Sequence, residues 1–292
     1  MKNYGRRTFL KRAGAMAAGA GLAGFVPVAA AENDAKNTLS IAVEPENDPL
    51  AARAASVLKN RILRRCPDTG ADVRLVLAVD TDLKPDAFRI EERDGTFRIA
   101  AGSSRGLFYG AGKFLRTSRY DGGFAPSSWR GVSEPRGSMR GMYFATHFHN
   151  WYCQATPAEI AGYIEDLALW GANALMVIFP MINLEGWDDP EAEPALAMMR
   201  KYAQSAKELG LMFATGLNNT LFIGAPADIR ATRLPDPLGR RGNSGHPICP
   251  STPAGHAYIL DNTRRLLEGL KDIGLDIAVF WPYDEGGCAC AQ

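Results

Sequence analysis

Residues 156–179 read TPAEIAGYIEDLALWGANALMVIF, and this stretch decides the fold. Thr156 is a helix-capping residue type, Pro157 suits a first turn, and Glu159 follows the cap by three positions. Ile160, Tyr163, Ile164 and Leu167 recur at helical spacing, and Gly171 can close the helix. Ala174 to Phe179 is an unbroken apolar run, as in a parallel strand covered on both faces. Working outward, the same rhythm repeats. Met139 to Ala145 reads as a buried strand before the helix. A second helix over 192–209 closes on Gly210, and Leu211 to Leu217 reads as the next strand. Ser251-Thr252-Pro253 opens a third helix that ends at Gly274, followed by a strand over Ile277 to Trp281. Helix–strand alternation of this kind implies parallel βαβ units. Residues 137–292 are then the first half of a (β/α)8 TIM barrel, which needs about 250 residues when whole, and the chain is expected to stop inside it. A complete four-stranded doubly wound domain is the alternative.

The preceding part has a different order. Thr38 to Val43 reads as a strand, Asn47-Asp48-Pro49 opens a helix to about Arg65, and Val73 to Val79 reads as a second strand. Phe88-Arg89-Ile90 and Phe97 to Ala100 flank Asp94-Gly95 as a hairpin. Ser103-Ser104 opens another helix carrying Leu107, Phe108, Ala111, Phe114 and Leu115. Residues 36–118 are thus an α+β accessory domain. Residues 119–136, rich in Gly, Ser and Pro, read as a linker.

The chain has 292 residues, a formal charge of +1 and 46% hydrophobic residues. This composition suits a protein with a buried core, and the near-neutral charge argues against a nucleic-acid partner. Residues 1–31 carry Lys2, Arg6, Arg7, Lys11 and Arg12 and no acid, then a small-residue apolar stretch and an A-x-A-like site near Ala29 to Ala31. This is the pattern of an export signal. Arg6-Arg7-Thr8-Phe9-Leu10-Lys11 resembles the twin-arginine motif, implying the twin-arginine export machinery as a partner and a periplasmic or secreted location. The stretch is too short and weakly apolar for stable membrane insertion. Without it, 28 basic residues face 32 acidic ones, a net charge of −4.

In barrels, the chemistry gathers in the loops after the strands. Those loops carry His147, His149 and Trp151 after the first strand, Asn183 and Trp187 after the second, and Asn218 after the third. Trp281, Tyr283, Asp284 and Glu285 stand at the fourth. Aromatic rings can stack on pyranose faces while amides, histidines and carboxylates bond hydroxyls, so a carbohydrate substrate is expected. Asp284-Glu285 is the sharpest signal. A carboxylic acid kept protonated by burial or by a neighbouring carboxylate is the proton donor that glycoside cleavage needs.

Residues 87–111 resemble the last part of an accessory domain in family 20 glycoside hydrolases (β-N-acetylhexosaminidases) and related α-glucuronidase-like enzymes. Met139-Arg140-Gly141-Met142 resembles their first barrel strand. Asp284-Glu285 resembles their Asp-Glu pair after strand four. The resemblance implies an exported glycosidase acting on an oligo- or polysaccharide, with Glu285 as general acid, Asp284 holding a 2-acetamido group, and Arg140 contacting sugar hydroxyls. Ala145 stands where an Asp is usual in that family. Inversion or covalent retention by two carboxylates therefore remains open.

Five cysteines are an odd number, and their pairing is not legible from sequence. Cys288 and Cys290 are two residues, not the four ligands of a structural zinc site, so no metal or other cofactor is expected, while a disulfide suits an oxidising compartment. His147 and His149, read as alternating along an extended segment, would face one side. Two other functions compete: a non-catalytic carbohydrate-binding protein on the same scaffold, and a metal-dependent hydrolase or lyase using His147, His149 and the cysteines.

Overall fold

A computed structural model describes residues 38–148, 150–218, 220–232, 246–281 and 288–291. The proposed export signal, residues 1–31, lies outside them. Eleven strands are described. β1 (Leu39–Glu44), β2 (Val73–Val79), β3 (Phe88–Arg93), β4 (Thr96–Ala101) and β5 (Gly131–Ser133) form one sheet in the order β1-β2-β4-β3-β5. β6 (Gly141–Phe144), β7 (Ala174–Val177), β8 (Met212–Asn218) and β11 (Ile277–Trp281) form a second, in the order β11-β8-β7-β6. β9 (Thr220–Leu221) and β10 (His246–Pro247) make a short antiparallel pair. The helices are α1 (Pro49–Arg65), α2 (Ser104–Thr117), α3 (Trp151–Gln154), α4 (Pro157–Trp170), α5 (Ala192–Glu208) and α6 (Pro253–Leu270).

Local chemistry sets these boundaries. The Asp48 carboxylate caps α1 by accepting from the Leu50 and Ala51 amides, each at 2.9 Å, and its second oxygen accepts from Ser104 at the start of α2. The hairpin between β3 and β4 turns on Asp94 and Gly95, at φ of 50° and 70°, a left-handed pair that suits a two-residue turn. The Thr156 hydroxyl and the Glu159 carboxylate form a reciprocal capping box on α4. Gly171 ends that helix at a φ of 100°, open to glycine at no steric cost.

In the first sheet, β1 alternates half-buried and exposed positions, so one face is packed and the other wetted. Ala51, Ala54, Leu58 and Ile62 of α1 and Leu107, Phe108 and Phe114 of α2 are buried with Leu75, Leu77, Ile90 and Ile99 of the strands. The second sheet is wholly parallel, with Gly141 opposite Ala174, Leu175 opposite Phe213, and Ile277 opposite Ala214. Its four strands with intervening α4, α5 and α6 are half of the eight-strand barrel repeat. β11 lies at its edge. Phe280 there is 79% exposed, and β11 has β8 as its only strand neighbour among the described residues.

The segment read as a linker is packed instead. β5 pairs with β3, Phe124 is buried, and the Trp129 ring lies 6.0 Å from Phe88. Gly, Ser and Pro break helices, but they do not prevent burial. Nor does the core stop at residue 118, because one set of buried side chains runs through both sheets and the described residues form one compact unit. The joint is α2 against α4. Arg116 donates to the Leu169 carbonyl at 2.7 Å and Tyr109 to that of Ala172 at 3.3 Å, while Arg61 pairs with Glu165 and Asp166. Gly112 allows this approach: a Cβ there would lie 1.8 Å from the Leu169 oxygen.

Candidate functional site

The C-terminal ends of β6, β7 and β8 carry loops that the chain ties together. After β6, Thr146–Phe148 forms a 3-10 turn, not the extended segment expected. The buried Thr146 hydroxyl donates to the Ile178 carbonyl, joining the ends of β6 and β7. Asn183, in the turn Met181–Asn183 after β7, donates to the His147 carbonyl at 2.9 Å. The His147 ring lies beside Tyr143, with its Nδ1 3.5 Å from the hydroxyl. His147 and Asn183 are therefore brought together by their loops. His149 lies outside the described residues, so the alternation argument for the two histidines loses its basis in the turn.

The loops after β7 and β8 also meet. The Ile223 amide donates to the Leu184 carbonyl at 2.9 Å, and a Cβ on Gly224 would come within 2.3 Å of the Glu185 carbonyl. Arg230 donates to the carbonyls of Ala225 and Ile223. Thr215 on β8 is fully buried and bonds the Val177 carbonyl at 2.8 Å.

Trp187 and Trp151 take different posts from open stacking platforms. Phe179 stacks on the Trp187 ring at 5.0 Å, Phe222 meets it edge-on at 5.5 Å, and its indole N–H donates to Asn262 on α6 at 2.7 Å. Trp151 is 45% exposed, yet it sets its edge against Tyr163 of α4 at 5.4 Å, on the helix layer. Beneath it, Tyr152 and Tyr163 stack over Phe144. Burial, then Cys153 beside it, pushes the Tyr202 phenol up to about 12, and that hydroxyl donates to the Tyr152 carbonyl at 2.8 Å.

Arg140 is the clearest correction. It precedes β6, so it lies at the opposite end of that strand from His147. Its guanidinium donates to the Gly171 carbonyl at 2.7 Å, the Gly137 carbonyl at 2.7 Å, the Asp86 carboxylate at 2.8 Å and the Tyr109 hydroxyl at 3.3 Å. Those bonds clamp the first sheet to the second, leaving little for a sugar. Burial alone would raise the Asp86 carboxyl, but hydrogen bonds from Arg140 and Arg105 outweigh it and hold the carboxyl below its ordinary value. A cleft of about 290 Å³ opens beside this cluster, lined in part by Lys113, Arg116 and Glu134.

Asp284, Glu285 and Tyr283 lie outside the described residues, as do the side chains of Asn218 and Trp281. Their strands are described. β8 ends at Asn218 and β11 at Trp281, with Trp281 in register with Asn218. The fold also brings Cys249 to the pair that the sequence singled out: Cys249, Cys288 and Cys290 have sulfur atoms within 4.8 Å of one another. Burial, with hydrogen bonds to the other two thiols, raises the Cys288 thiol above its ordinary value. Cys66 and Cys153 stand apart, bonded to the carbonyls of Asp68 and Thr146.

No known family profile and no curated protein matches the chain. Solved structures do. The family 20 exo-β-N-acetylglucosaminidase from Vibrio harveyi, in complex with N-acetylglucosamine, superposes with a TM-score of 0.56 at 15% identity, over 79% of this chain and 42% of that one. The Flavobacterium johnsoniae chitobiase gives a TM-score of 0.59 at 15% identity, over 85% and 42%. A mutant Streptomyces plicatus β-hexosaminidase in complex with N-acetylglucosamine gives 0.56 at 16% identity, over 78% and 52%. The chain thus spans about half or less of these proteins' lengths. The likeness is one of fold: an α/β chain with the partial-barrel scaffold of glycoside hydrolases. Among the described residues, no helix is long and apolar enough to cross a membrane.

Proposed function

We propose that this chain belongs to an exported glycoside hydrolase of hexosaminidase or glucuronidase type, with Glu285 as the general acid. One observation carries the reading: β11 is the fourth strand of a parallel sheet with glycoside-hydrolase topology, and Asp284-Glu285 follows its C-terminal end in the sequence. In barrels, that is where catalytic side chains are mounted. Glu285 would protonate the leaving oxygen, and Asp284 beside it would orient the substrate or act on the anomeric carbon. His147 and Asn183, joined at the ends of β6 and β7, would line the same mouth. The neighbours in complex with N-acetylglucosamine make N-acetylated sugars the first substrates to assay. Residues 36–118 would serve as the accessory part, and residues 1–31 as the signal for twin-arginine export to the periplasm or beyond.

The test is Glu285→Gln in the whole protein, assayed on oligosaccharides and alkyl glycosides, whose poor leaving groups need the donated proton. Loss of a general acid lowers turnover by roughly 10²–10⁴-fold, with the thermal unfolding transition unchanged. Undiminished turnover on a good substrate refutes the assignment. Sugar binding without hydrolysis by the unaltered protein would favour a non-catalytic binding role instead.

A further inference from the structure

We propose that Cys249, Cys288 and Cys290 together bind one thiophilic divalent cation of the zinc class, which fastens the loop after β8 to the segment after β11. The sequence suggested at most a pair, since Cys249 stands 41 positions before Cys290. Folding supplies the third ligand. The three sulfur atoms lie within 4.8 Å of one another, and Cys249 and Cys290 are 3.7 Å apart. Zinc–thiolate bonds of about 2.3 Å in a tetrahedron put sulfur atoms ~3.8 Å apart, so the Cys249–Cys290 spacing already suits a shared ion.

The backbone holds these thiols in place by contacts independent of sulfur. The Cys249 amide donates to the Ile229 carbonyl at 3.0 Å, and the Ala289 amide to the Thr232 carbonyl at 2.8 Å. Both cysteine segments are thereby pinned to one short stretch of chain. Cys249 is buried, while Cys288 and Cys290 are half-buried, so the cluster has a closed floor and an approachable side. A disulfide would use two of the three sulfurs and leave the third beside it. A cation uses all three, with a fourth position for water or another donor. Binding replaces the thiol protons, which pass to solvent.

The probe is zinc, then cobalt, added to the whole protein purified under reducing conditions and freed of metal by chelation. The expected results are one equivalent of tightly held zinc per chain by elemental analysis, and an intense thiolate-to-cobalt charge-transfer absorption. Cys249→Ser, Cys288→Ser and Cys290→Ser each lose stoichiometric binding, while Cys66→Ser keeps it. X-ray absorption at the zinc edge of the unaltered protein, which needs no variant to fold, should show three sulfur neighbours. Absence of sulfur from that shell, or no zinc retained by the reduced protein, overturns the proposal. So does a Cys249–Cys290 disulfide that re-forms in preference to zinc uptake.

Discussion

Replacing Gly112 by alanine tests the joint between the two sheets. The added Cβ would sit 1.8 Å from the Leu169 oxygen and 2.8 Å from an Arg116 nitrogen. Carbon and carbonyl oxygen approach no closer than about 3.3 Å in ordinary contacts, so α2 and α4 must part locally by roughly 1.5 Å. Overpacking of this kind costs about 1–3 kcal/mol. The Arg116–Leu169 and Tyr109–Ala172 hydrogen bonds span the same gap, and loosening them removes ~1 kcal/mol each. Alanine's better helix propensity returns about 1 kcal/mol. The net loss is about 2–4 kcal/mol, a fall in Tm of roughly 4–16 °C at ~2–4 °C per kcal/mol for a protein of this size. Gly162 on α4 is the internal control, because a Cβ there meets nothing within 4 Å. Gly162→Ala should gain up to ~1 kcal/mol. Thermal and guanidinium unfolding followed by circular dichroism would read both. If Gly112→Ala proves as stable as the unaltered chain, the close approach of α2 to α4 is wrong.

Asp86→Asn should lower stability at pH 7 by about 2 kcal/mol, since it removes a carboxylate bonded by two guanidinium groups. Because the folded carboxyl is held below its ordinary value, its contribution is full above the unfolded pKa of about 3.9 and is lost as pH falls through the folded one. The gap between variant and parent should therefore close in acid; a gap constant from pH 7 to pH 3 contradicts the clamp. Trp187→Phe leaves the buried Asn262 amide oxygen without its indole donor, at a cost of about 1–3 kcal/mol in unfolding measurements. The same variant should leave sugar affinity largely intact; a large affinity loss at unchanged stability would put Trp187 back in the site.

Elements with strong local signals were legible from the residues alone. The caps at Asp48, Ser103 and Thr156, the Asp94-Gly95 turn and the continuous apolar run of β7 all carry their cause within a few positions. Segment 119–136 misled because its composition reports what the backbone avoids, not what it packs against. Arg140 misled for a different reason: the family resemblance gave it a sugar contact, although its place at the start of its strand already set it away from the loops after the strands. Here Asp86 and Gly171, both far away in the chain, hold it at the N-terminal end. Cys249 gave no signal, because its partners arrive through β-strand order, not through spacing.

The contact of Ile223 with Leu184 and of Gly224 with Glu185 ties the second and third strand-end loops into a single wall. An engineer who wished to widen the mouth by enlarging or shortening one of these loops would displace the other. On the proposed reading, selectivity at this end of the sheet would be a joint property, and libraries that vary residues 184–186 and 223–225 together would sample it where single-loop libraries would strain the partner loop.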